Sequence, residues 1–167
     1  MTRRLIATPD PDSVQRLVDR AAIHDLLSRY ARACDTKEWS VYRSLFTPDA
    51  LIDYTAAYGI RGSLAEVSDW IARVVSPSSV PRTQHLVTNL EIAWEGHDHA
   101  TAHAYFINPN VHRDATGKES LLLNGGSYTA TVRRTNEGWR IARLMDKLTF
   151  SHRGELEQFQ LPNLEGL

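Results

Sequence analysis

His85 closes the run Arg82-Thr83-Gln84-His85, and Asp35 stands fifty residues earlier, at the end of a long stretch of helical spacing. A neutral imidazole beside a carboxylate is a general base near neutral pH, because the carboxylate fixes the tautomer and stabilises the imidazolium that forms. Paired, the two residues would remove a proton from carbon. A plainer reading stays open, in which Asp35 is a helix cap and His85 a hydrogen-bonded core residue. Tyr30 lies five residues before Asp35 and Tyr54 ends a short apolar run, so each offers a phenolic donor to a carbonyl or a leaving group. Their alternative is an aromatic core role with the hydroxyl at a cavity edge. Strand alternation puts His85, Val87 and Asn89 on one face, and His99, Thr101, His103 and Tyr105 on one face of the next strand. One histidine from each strand is expected inside, which makes His103 and Tyr105 candidate substrate contacts.

Other polar clusters carry less. His97, Asp98, His99 and His103 lie close together, but the first two fall in a turn and no set spacing supplies a zinc or iron site. No metal is expected. Asn124-Gly125-Gly126-Ser127-Tyr128 has a glycine pair inside a strand with no helix start after it, so a bulge or bend is expected and no nucleotide cradle. No cofactor is implied. Arg133, Arg134, Arg140 and Arg143 alternate with apolar residues and read as a solvated sheet face. Cys34 is the only cysteine, which excludes an internal disulfide and agrees with a reducing, cytoplasmic setting.

The elements that must position these residues follow from periodicity. Ser13 is a plausible N-cap for a long helix carrying Val14, Leu17, Val18, Ala21, Ala22, Leu26, Tyr30 and Ala31. Asp35-Thr36-Lys37-Glu38 has the form of an acidic cap before Trp39, Tyr42, Leu45 and Phe46. Ala50–Tyr54 reads as a strand, Gly59 and Gly62 bracket a second, and Ser63 with Glu66 starts a third helix containing Trp70, Ile71 and Val74. From Thr83 to Phe150 turn residues near 95–98, 113–117 and 135–138 separate four antiparallel strands. Three N-terminal helices packed on a strongly bent, mostly antiparallel sheet make an α+β domain over 13–150, with an extension at 1–12 and a tail at 151–167. Folded over the first helix, such a sheet would leave a conical cavity.

The chain has 167 residues, room for one domain with one core. With 19 Lys and Arg against 20 Asp and Glu, no global field exists to hold a polyanion, so nucleic acid is not expected. Apolar stretches are short and broken by charges, so neither a membrane span nor a secretory leader is expected.

Arg20–Tyr30, Cys34–Trp39, Arg82–His85, Asn124–Tyr128 and Gly138-Trp139 together resemble the SnoaL-like branch of the nuclear transport factor 2-like superfamily, over roughly residues 14–150. That branch includes scytalone dehydratase, bile acid 7α-dehydratase and hexachlorocyclohexane dehydrochlorinase. The resemblance implies a cone-shaped α+β barrel and an Asp–His dyad carried by Asp35 and His85, with Tyr30 and Tyr54 touching a carbonyl or hydroxyl. The second active-site histidine of scytalone dehydratase falls near Asn110 or His112, and its polar pair on the glycine-containing strand is replaced by Gly126 and Tyr128. His103, Tyr105, Asn110 and Tyr128 are the expected substrate contacts. The implied activity is a cofactor-independent lyase acting on a cyclic, hydrophobic, polyketide- or steroid-like small molecule. An isomerase, a polyketide cyclase, a non-catalytic binding protein and a dioxygenase small subunit stay open. A homotrimer or homodimer is implied, and the tail is expected to close the pocket mouth or reach a neighbouring subunit.

Overall fold

The structure, a computed structural model, describes residues 11–155. Helix α1 runs Pro11–Thr36. It begins ahead of Ser13, which is therefore an exposed residue of the first turn and not the cap. Val14, Leu17 and Val18, expected on the buried stripe, are exposed; Ile23, Leu26, Leu27, Tyr30, Ala33 and Cys34 form the buried face at three- and four-residue spacing. Helix α2, Trp39–Ser44, follows Lys37 in the left-handed region (φ 60°) and takes Glu38 as its N-cap residue without a side-chain bond. Asp35 is thus no cap, and its carboxylate goes elsewhere. Helix α3, Leu64–Val74, does open on the expected capping box, Ser63 N–H donating to Glu66 Oε2 at 2.8 Å.

Seven strands follow the order β2-β1-β7-β6-β5-β3, with β4 also on β5: β1 Phe46–Asp53, β2 Arg61–Ser63, β3 Arg82–Thr83, β4 Leu86–Trp94, β5 His99–Arg113, β6 Glu119–Thr135 and β7 Gly138–Glu155. Only the β1–β7 pair among them is parallel. The α+β class and the four long strands stand as expected. Pro11 and Asp12 already belong to α1 and Ser151–Glu155 to β7; the rest of the expected extension and tail lies outside the described residues.

Side-chain size along the inner sheet face shapes the cavity. Ala100, Ala102, Ala104 and Ala130 on β5 and β6 are buried and small, and α1 approaches the sheet at β4 and β7. Phe106 and Tyr128, stacked with ring centroids 4.4 Å apart, end that close-packed region. Beyond them the same inward positions carry Asn108, Asn110, His112, Leu122 and Asn124, and these line a cavity. The register of β6 on β7 shifts between Gly125 and Gly126, the expected bulge. A β-carbon on Gly126 would lie 2.0 Å from the Lys147 carbonyl oxygen, whereas one on Gly125 meets only the half-exposed Phe150 ring. Gly126→Ala is therefore expected to cost about 1–3 kcal/mol in urea unfolding, and more than Gly125→Ala.

Two sheet expectations are corrected. Asn89 adopts φ 54° at a register shift between Thr88 and Glu91, so the inward face passes from His85 and Val87 to Leu90, Ile92 and Trp94, and Asn89 turns out. Arg134 is not merely solvated: its guanidinium lies over Trp139 and bonds the buried Asp19 carboxylate at 2.6 Å, tying α1 to the β6–β7 turn. Among the described residues no helix is long and apolar enough to cross a membrane.

Candidate active site

Asp35 and His85 meet. β3 and β4 are one strand's path interrupted at Gln84-His85: Thr83 pairs with Asn110 and Leu86 with Ile107, which sets Gln84 across from Pro109 and His85 across from Asn108. Gln84 N–H still reaches the Pro109 carbonyl at 3.1 Å, so His85, one residue on, turns its N–H away from β5 toward the open edge of the sheet. There it donates to Asp35 at 3.0 Å to either carboxylate oxygen. The ring repeats the contact, with Nδ1 2.6 Å from Asp35 Oδ1. A carboxylate only accepts, so Nδ1 carries the proton and Nε2 holds the basic lone pair. Asn108 Nδ2 lies 2.9 Å from that lone pair. Asn110 ties down the backbone here, its amide donating to the Asn108 main-chain carbonyl at 3.1 Å and its Oδ1 accepting from Thr83 Oγ1 at 2.7 Å.

Tyrosine hydroxyls form the cavity floor. Tyr54 Oη is 2.8 Å from Tyr30 Oη and 3.0 Å from Tyr42 Oη. Tyr42 is fully buried and does not line the cavity, so its proton has Tyr54 to go to. Tyr54 then has Tyr30 to donate to, and the Tyr30 hydroxyl lies at the cavity beside Tyr128 and Cys34. Burial pushes the phenols of Tyr30, Tyr54 and Tyr128 well above their ordinary pKa, so they remain donors at neutral pH. Burial and the neighbouring Asp35 charge do the same to the Cys34 thiol, which is therefore no nucleophile. The Tyr30 ring stands edge-on to His85, centroids 6.4 Å apart. The cavity encloses about 640 Å³ and carries Trp39, Trp70, Ile71 and Val80 on its apolar side. That is ample for a small cyclic molecule. His112 lines it too, its imidazole shifted toward the neutral form by burial and by Arg153. No group of three or more metal-ligating side chains occurs among the described residues.

Comparison with known proteins gives this geometry a family. The SnoaL-like domain matches residues 15–145. The chain belongs to the SnoaL-like family. It is 33% identical over 138 residues to the uncharacterized protein Rv2910c of Mycobacterium tuberculosis, covering 83% of this chain and 90% of that one. A hexachlorocyclohexane dehydrochlorinase, LinA type 2, shares its fold with a TM-score of 0.75 at 21% identity, over 90% of this chain and 99% of that one. A scytalone dehydratase-like protein from Novosphingobium aromaticivorans does so at 0.69 and 16%, over 86% and 93%.

Within this SnoaL-like cone the expected residues separate into two groups. Tyr30, Tyr54, His85, Asn110 and Tyr128 line the cavity, with Asp35 behind His85. His103 and Tyr105 do not. Both are exposed on the outer face, His103 bonded to Thr129 Oγ1 and Tyr105 59% exposed, because the alanines and Phe106 of the alternate register take the inner face of β5. Periodicity cannot tell which parity faces inward when one set is small and the other polar. Asn108, Tyr42 and Asp146 escape a reading of the sequence. The signal for Asn108 was its parity with Phe106; Asp146 shares an inward face with Leu144 and Leu148.

Proposed function

We propose that the protein is a cofactor-independent lyase of the dehydratase type, removing a proton next to a carbonyl of a cyclic, hydrophobic small molecule with loss of water. The observation that carries this is the 2.6 Å contact of His85 Nδ1 with Asp35, which leaves Nε2 basic at a largely apolar cavity. Once the Asn108 amide swings off its lone pair, Nε2 takes the carbon-bound proton, the C–H pair moves into the new double bond, and the Tyr30 hydroxyl hydrogen-bonds the carbonyl oxygen as charge grows there. As His85 becomes an imidazolium, its Nε2–H needs an acceptor. Turning the Asn108 amide over presents Oδ1, and the new N–H then faces Thr83 Oγ1, now 3.1 Å from Oδ1.

The test is a panel of cyclic β-hydroxy ketones followed by enone absorbance, run with 5-nitrobenzisoxazole, whose ring opens when a base takes its carbon-bound proton. Wild-type enzyme is expected to form enone from at least one ketone and to open the benzisoxazole. Double-bond migration without loss of water would replace the lyase reading by an isomerase. Inertness toward both probes would overturn the base and favour a binding role.

The same family reading carries an assembly proposal, a homotrimer or homodimer joined through the outer sheet face. Leu86 and Ile107 are cross-strand partners there, and Tyr105 lies beside Ile107 on the same face, all three exposed. Light scattering is expected to give a multiple of the chain mass; a single-chain mass contradicts it.

A further inference from the structure

One buried carboxyl among the described lining residues takes no part in the mechanism so far. Asp146 lies on β7, three strand steps from β4 in the sheet, and lines the same cavity as His85. It is 6% exposed, and its Oδ1 has no hydrogen-bond partner among the described residues. A buried carboxylate normally collects donors, as Asp35 and Asp19 do here. Asp146 faces Asp53 at the end of β1, the backbone of Ala57 in the short turn after it, and Tyr128 directly across on β6. The charge nearest it is Asp53, of like sign and itself held by Thr55 and Arg61, with Arg143 close by.

We propose that Asp146 is the general acid of this site, a neutral carboxyl that delivers its proton to the departing oxygen while His85 takes the proton from carbon. Resting on the lyase reading, this names the partner that reading lacks. In the elimination the C–H electron pair becomes the π bond, the C–O bond breaks with its pair on oxygen, and the Asp146 proton completes a water molecule. Asp146 is left as a carboxylate and His85 as an imidazolium, and one proton passed between them through entering solvent restores both. Protonation at working pH follows from burial first and from the Asp53 charge second, which push the carboxyl up to about 7 against weaker pull from the Ala57 and Asp146 backbone N–H groups. An acid titrating there has a proton to give and a conjugate base stable enough to lose it.

Benzisoxazoles of different leaving-group strength separate the acid from the base. 5-Nitrobenzisoxazole expels a strongly stabilised phenolate that gains little from a proton, whereas the unsubstituted ring expels a more basic phenolate that gains more. Asn at 146 keeps size and a hydrogen-bond donor but has no proton to transfer. Asp146→Asn is expected to slow the unsubstituted ring by about 10²-fold and to leave the nitro compound within about twofold. With wild-type protein alone, the unsubstituted ring should react more slowly as pH rises through about 7, relative to the nitro compound. Equal effects on both compounds, or none, would overturn the acid role while dependence on His85 leaves the base reading intact. Loss of His85 dependence sinks that reading separately.

A second readout needs no turnover. The folded pKa of Asp146 lies above its ordinary 3.8, so its stabilising share is complete below about that value and is lost as pH rises through about 7. The Tm of Asp146→Asn minus that of wild type is therefore expected to climb from about pH 4 to about pH 7 and to level off above it. A flat difference contradicts a neutral Asp146.

Discussion

His85→Ala is expected to lower turnover of 5-nitrobenzisoxazole by about 10²–10⁴-fold while the protein stays folded. The chemical loss is large because among the lining residues Nε2 of His85 is the basic nitrogen held in place by a carboxylate. The tyrosines cannot take its place, since burial keeps their phenols protonated. The structural loss is smaller. The backbone N–H at position 85 still donates to Asp35, so the β3–β4 interruption keeps its tie to α1, and the vacated space opens onto an existing cavity. A circular dichroism melt beside the rate measurement separates the two effects. Unfolding at room temperature would show that His85 holds the fold, and an unchanged rate that the base lies elsewhere.

Asp35→Asn should rival it. An amide at position 35 can still accept the His85 backbone N–H through its oxygen, so the chain path survives. It cannot neutralise the imidazolium, and its NH₂ group turned toward Nδ1 would favour the tautomer whose lone pair sits on the wrong nitrogen. A rate loss of about 10²–10⁴-fold is expected, with a modest change in Tm. Asp35→Ala adds a second injury, because the His85 N–H loses both carboxylate contacts, at about 1–3 kcal/mol. The two variants should therefore match in rate and differ in urea midpoint. If Asp35→Asn keeps wild-type turnover, Asp35 positions the strand and does nothing to the proton.

The residues that anchor this account were legible in the sequence to unequal degrees. Asp35 and His85 stood out because their residue types suit one reaction, and the cone fold follows from a helical front and a strand meander behind it. Their contact depended on His85 turning its N–H to the open edge of the sheet, beside a strand that periodicity alone does not pair. His103 and Tyr105 were misplaced through inverted parity, since a run of alanines carries little apolar signal although alanines are what the helix needs beneath it. Asn89 broke the alternation with one left-handed residue. Asp146 was invisible for a different reason: an aspartate in a strand among leucine, methionine and lysine reads as one more solvent-facing residue until β1 and Tyr128 are seen beside it. Tyr42 looked like one more apolar residue of a helix stripe, and only the fold brings its hydroxyl to Tyr54.

Chemical rescue shows whether His85 is a base held by Asp35 inside the cavity. Free imidazole added to His85→Ala should restore opening of 5-nitrobenzisoxazole along a saturable curve, because the vacated site binds the ring next to the Asp35 carboxylate. The double variant His85→Ala/Asp35→Ala should show no such saturation. A rate that rises linearly with imidazole, with the same slope in both variants and in free solution, would contradict the account.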